Sequence, residues 1–263
     1  MIVTNNLINY PIKEAKSNPL DQISIISSKS STANPLQILT DKHHNVAFIA
    51  NTKNYAKDIN KIKNELNHIG IKAYLQDKCN YKNLILAKSV RDAFLDIKKA
   101  GFYIPKGLSI HLDGSKDNFE RGTYDMAYTE VTKDQKEKPV IYLNTQRYRA
   151  QKDIPYAFHS YGDKEIYNAK VDIYHEFAHY SQAVENRDLY RSLTREKFDE
   201  ETRQEIAKCI NSYAATSKAE FVAEYLAYKL AGIKVSNDKI DLEKLYDECK
   251  GPKPIYSDVL KNN

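Results

Sequence analysis

Val171-Asp172-Ile173-Tyr174-His175-Glu176-Phe177-Ala178-His179 is a stretch of good helical character that carries the pattern H-E-x-x-H. Residues four apart on a helix lie one above the other, so the imidazoles of His175 and His179 reach toward a single point. Two ring nitrogens there make a two-pronged ligand for an ion at the Zn–N distance of about 2.0–2.1 Å. Glu176 points away from both ligand directions but toward the open coordination position. Its carboxylate there takes a proton from a water held on zinc, whose pKa falls to about 7. His175 and His179 are therefore the candidate metal ligands, Zn2+ the candidate cofactor and Glu176 the candidate catalytic base.

A catalytic zinc keeps three protein ligands and one open position, so a third ligand is required. The residues after His179 are Tyr180, Ser181, Gln182, Ala183, Val184 and Glu185. They supply no further histidine in an H-E-x-x-H-x-x-G-x-x-H arrangement, which excludes that pattern and turns the search to a glutamate. The best candidates lie in the segment Ser212 to Glu224. Ser217 is a natural N-cap with Glu220 three residues on, the spacing of a capping box, so a helix-start role is the plain alternative for Glu220. Glu220 and Glu224 stand one turn apart beside Phe221, Val222, Tyr225 and Leu226. Two acids facing an otherwise apolar helix surface need a partner, and a metal ion is one.

H-E-F-A-H followed some forty residues later by S-Y-A-x-x-x-x-A-E-F-x-A-E resembles the gluzincin peptidases of the anthrax lethal factor type, and related peptidase domains of bacterial toxins and phage-associated proteins. The resemblance covers residues 171–230. It implies that Glu220 is the third zinc ligand and that Tyr213, seven residues earlier, faces the metal. A phenol hydroxyl beside zinc donates a hydrogen bond to the oxyanion of a tetrahedral intermediate, which makes Tyr213 a candidate catalytic residue. Glu224 is then expected behind the ligands, orienting His175 or His179 through the free ring N–H. The chain departs from the family pattern at Val222, where a second aromatic is common. The expected activity is zinc-dependent endoproteolysis of a specific protein, in the manner of a toxin or effector. The competing expectation is a catalytically silent scaffold of the same fold that serves in binding or assembly.

Working outward from the motif, Tyr55, Ile59, Ile62, Leu66 and Ile69 recur at helical spacing up to Gly70. Short apolar runs at Val46–Ala50 and Ile71–Leu75 flank that helix as strands. Leu86, Val90, Phe94 and Ile97 mark another helix, closed by Gly101 and Pro105. Leu108, Ile110 and Leu112, then Tyr124, Met126 and Tyr128, then Val140 to Leu143, predict three more strands. After Asn144 the pattern predicts helices over about 168–186, 202–213, 217–231 and 239–249. The expected fold is α+β and zincin-like: a twisted mixed sheet packed on the H-E-x-x-H helix, followed by a helical C-terminal half. Residues 1–40, rich in Ser, Asn and Lys, read as a flexible leader, 41–263 as the peptidase domain and 107–232 as its motif-bearing core. A protein or peptide substrate is expected to lie as an extended strand along the sheet edge near 123–131.

The chain of 263 residues is 41% hydrophobic and 29% charged, ordinary values for a folded globular protein. Its net charge of +5 comes from lysines spread among acids, which argues against a nucleic-acid partner. Cys79, Cys209 and Cys249 lie far apart, as reduced thiols do, with no metal-ligand spacing. His43, His44, His68, His111 and His159 also lack ligand spacing. His159 is expected on a loop entering the motif helix, at the cleft. No apolar window spans a membrane and the N-terminus has no basic-then-apolar leader, so the expectation is a cytoplasmic protein or one exported without a Sec signal. The oligomeric state is open.

Overall fold

The computed structural model describes residues 55–75, 80–113, 126–134, 136–146, 149–151, 154–156, 159–161, 164–166 and 169–255, and of the segment 149–166 only the backbone. All of these lie within one unit, Ala47–Asn263. The leader 1–40, the domain boundary at 41, the strand at 46–50, Cys79, His43, His44 and Tyr124 fall outside the described residues.

Helix α1 runs over residues 55–68 and buries Ile59, Ile62 and Leu66. Gly70, at φ 88°, ends its last turn in the left-handed region, and β1 (Ile71–Leu75) follows at once. Helix α2 (Tyr81–Lys99) is capped by Asn80, whose side chain accepts from Asn83 N. Its end is closed by Gly101, at φ 86°, with Phe102 N donating to Ile97 O across the turn.

Strands β2 (Leu108–Asp113), β3 (Ala127–Glu130) and β4 (Val140–Asn144) complete a four-stranded sheet in the order β1-β2-β4-β3. β1, β2 and β4 are parallel, and β3 pairs antiparallel with β4 at one edge. Alternation puts Leu108, Ile110, Leu112, Ile141 and Leu143 on one buried face. On the opposite face Tyr74, His111, Tyr142 and Tyr128 stand in one register row across all four strands, with successive ring centroids 4.6, 5.0 and 4.9 Å apart. The architecture is thus α+β around a mixed sheet.

Two corrections concern the segment after Asn144, expected to be helical. Two short antiparallel hairpins precede the motif helix, β5 (Arg149–Gln151) with β6 (Ile154–Tyr156) and β7 (His159–Tyr161) with β8 (Lys164–Ile166). His159 accordingly opens a strand instead of lying on a loop. Three-residue strands are too short to display a period of two. The predicted helix at 168–186 is α3 (Ala169–Glu185), followed directly by a separate helix α4 (Arg187–Leu193) that Asn186 caps.

Helices α5 (Glu200–Cys209), α6 (Lys218–Leu230) and α7 (Leu242–Glu248) follow, starting on the caps Asp199, Ser217 and Asp241. α5 ends four residues earlier than expected, so Tyr213 sits in a turn, where Thr216 N and Oγ1 both donate to its carbonyl. α3 lies at the centre, packed on α2, α4, α6, β3 and β4. Phe177, fully buried, meets Phe94 and Phe102 edge to face at 6.2 and 6.3 Å. Each such pair is worth about 0.5–1.5 kcal/mol beyond its area burial. Lys170 Nζ and Tyr174 Oη both donate to Asp96 Oδ2 at 2.7 Å, which ties α3 to α2.

Candidate metal centre

α3 is buried nearly all round, and three of its buried residues are His175, Glu176 and His179, 8, 5 and 5% exposed. Polar groups in such a position are costly unless they have partners. For the two histidines those partners come from α6. Ser217 accepts from Glu220 N at 3.2 Å and so caps the helix. The Glu220 side chain, however, does not turn back to complete a capping box. It extends to the histidines, with Oε2 3.2 Å from His175 Nε2 and 3.2 Å from His179 Nε2. The two Nε2 atoms are 3.0 Å apart.

These three atoms form a nearly equilateral triangle. Its edges are close to the roughly 3.4 Å that separates ligand atoms of a tetrahedral site with arms of about 2.0–2.1 Å. Among the described residues, His175, His179 and Glu220 form a group able to hold a metal ion.

Glu224, one turn beyond Glu220, places Oε1 2.9 Å from His175 Nδ1, close but off the line of the ring N–H. A carboxylate on that side favours a proton at Nδ1, which leaves Nε2 as the nitrogen to serve a metal. His175 Nε2 faces a second imidazole nitrogen and a carboxylate oxygen, so three atoms able to ligate a metal converge on one point. The far oxygen of Glu224 accepts from Asn211 Nδ2 at 2.7 Å, while Asn211 Oδ1 accepts from Ala214 N. Asn211 thereby links Glu224 to the turn that carries Tyr213.

The electrostatics call for positive charge at the same point. Burial opposes protonation of His175, but contact with Glu220 and Glu224 outweighs it and raises its pKa well above the ordinary value. Burial likewise opposes ionisation of Glu220, yet the two histidines hold its carboxyl far below the usual carboxylate range. Glu176 is pushed up, chiefly by burial, against the opposing pull of His175, His179 and a hydrogen bond from Thr129.

Tyr213 stacks near His175, ring centroids 5.9 Å apart and planes 27° from parallel. Its residue surface is 52% exposed, while burial of its phenol and the charges of Glu220 and Glu176 raise the hydroxyl pKa above the usual value.

Three neighbours of the site carry no sequence signal. Tyr190, on α4, packs its ring 5.7 Å from His179. Thr129, on β3, donates to Glu176 Oε2 at 2.7 Å. Asn211 is the third. Each depends on a contact with another element of the chain. Of the remaining histidines, His68 lies in an exposed contact with Asn64 O and His111 in the aromatic row. The side chain of His159 lies outside the described residues. Cys249 is buried and Cys209 partly so, both as free thiols. No helix among the described residues is long and apolar enough to cross a membrane.

No protein family, curated protein or solved structure matches the chain.

Proposed function

We propose that the protein is a zinc-dependent endopeptidase of zincin-like architecture, with His175, His179 and Glu220 as metal ligands and Glu176 as general base. The observation that carries this reading is the convergence of two imidazole nitrogens and one carboxylate oxygen within 3.2 Å of one another. A donor set of two imidazoles and one carboxylate suits zinc and leaves a position open for water or substrate. Zinc held there by His175, His179 and Glu220 would supply Lewis acidity and would lower the pKa of a water to about 7.

The chain's own residues supply the rest of the chemistry. Glu176 accepts the proton of the attacking water at its carboxylate and returns it to the leaving amine. Glu224 holds His175 from behind and keeps its lone pair forward. Tyr213 offers its hydroxyl to the oxyanion that forms at the scissile carbonyl. The substrate is a peptide segment that adds as an extended strand to β3, the edge strand of the sheet nearest α3.

Metal analysis of the purified full chain tests the proposal. One zinc per chain is expected, falling sharply in His179→Ala. Zinc content that is substoichiometric and insensitive to His179→Ala would exclude the site.

A further inference from the structure

The inward-facing positions of the two central strands are Leu108, Ile110, Leu112, Ile141 and Leu143, all 3% exposed or less. Directly opposite Ile141 on β3 stands Thr129. Strand alternation aims it at α3, where the pattern calls for a residue shaped like valine. Thr129 is half-buried there, and a hydroxyl partly withdrawn from water gains from a protein partner.

It has one. Thr129 Oγ1 lies 2.7 Å from Glu176 Oε2 and 3.1 Å from Glu176 O. A hydroxyl donates one proton, and the shorter contact to the charged oxygen falls in the range of charge-assisted O–H···O bonds. Among the described residues the other oxygen of Glu176 has no hydrogen-bond partner. One carboxylate oxygen is therefore held and one is free, a division that sets the rotation of the carboxyl group.

We infer that Thr129 is a positioning residue that fixes the Glu176 carboxylate from the edge strand, so that one element both presents the sheet edge to substrate and aims the base. The inference rests on the reading of Glu176 as general base. A side chain held by one hydrogen bond loses its aim when that bond is removed, and small misplacements of a catalytic group cost up to about a hundredfold in rate.

Thr129→Val keeps the shape of the side chain and removes only the hydroxyl. Its effect is to be measured on the full zinc-loaded chain, with the fluorescence-quenched library peptide that the wild type cleaves fastest. Thr129→Val is expected to lower kcat about ten- to a hundredfold with KM within twofold, at unchanged zinc content and Tm. Thr129→Ser is expected to restore most of kcat. In a Glu176→Gln background Thr129→Val is expected to cost nothing further. In the metal-free protein, the infrared carboxylate band that Glu176→Gln removes is expected to shift in Thr129→Val.

Wild-type kcat in Thr129→Val, an unshifted band, or an undiminished loss in the Glu176→Gln background would overturn the inference while leaving the peptidase reading intact. A zinc-loaded wild type that cleaves no library peptide would overturn both.

Discussion

Glu224 and His175 meet at 2.9 Å on the side of the imidazole ring away from Glu220. The same histidine thus has one carboxylate at each nitrogen, one beside the proposed ligand position and one behind it. Loss of the rear carboxylate should weaken metal binding without removing a ligand. Glu224→Ala is expected to lower zinc affinity by about 10- to 100-fold, and Glu224→Gln by less, because the amide keeps an acceptor oxygen beside Nδ1. Competition with a chromophoric chelator measures this. Wild-type affinity in Glu224→Ala would remove Glu224 from the site.

Glu176→Gln preserves the shape of the side chain and its ability to accept from Thr129, but the amide does not take a proton. The variant is expected to bind zinc at wild-type stoichiometry and to lose peptide hydrolysis by at least about 10²-fold. Hydrolysis at the wild-type rate would place the base elsewhere.

Tyr213 is half exposed, so Tyr213→Phe should leave Tm nearly unchanged. Its hydroxyl is proposed to meet charge that appears only in the transition state. The expected loss is on the order of 10²–10³ in kcat with little change in KM. An unchanged kcat, with folding and zinc content verified, would return Tyr213 to a packing role.

The carboxylate of Glu205 accepts from Lys208, Asn237 and Lys239, and these contacts lower its pKa to about 2. Its side chain is 8% exposed, but the cover is two lysines that are 62 and 65% exposed, so this is a screened surface cluster and not a core ion pair. A carboxyl depressed in the folded state contributes stability above its unfolded pKa of about 4.3, and that contribution fades as pH falls toward the folded value. Glu205→Gln should therefore melt below the wild type at pH 7, with the gap closing between about pH 4.3 and 2. A gap independent of pH would refute the assignment.

Gly251 leaves no room for a side chain. An added Cβ would stand 2.2 Å from Tyr246 Cζ, and the buried Tyr246 ring is tethered by its hydroxyl to Pro252 O. Gly251→Ala is expected to cost about 1–3 kcal/mol through overpacking, read as a lower Tm by calorimetry. Wild-type Tm would show that the turn after α7 yields freely.

The helical spacing of His175 and His179 was legible from the sequence because the period of the α-helix alone places residues four apart on one face. The same local logic marked Ser217 as a cap, Gly70 and Gly101 as helix ends, and the strands from Ile71, Leu108 and Val140, since apolar periodicity is a property of neighbouring residues. Local rules lose their hold where elements are short. The three-residue strands between Arg149 and Ile166 and the seven-residue α4 show too little of any period to be read.

Residue pattern alone did not separate Glu220 from Glu224; the family resemblance pointed to Glu220 as the ligand, and the tertiary structure supplies the physical reason for the difference. The two acids lie one turn apart on one face of α6, and nothing in their own segment says which reaches forward. The packing of α6 on α3 sets that register, bringing Glu220 to the two Nε2 atoms and leaving Glu224 behind His175. Thr129 and Asn211 were equally invisible. Their partners Glu176 and Glu224 lie 47 and 13 residues away, and hydrogen bonds across such separations leave no periodic trace in the chain that makes them.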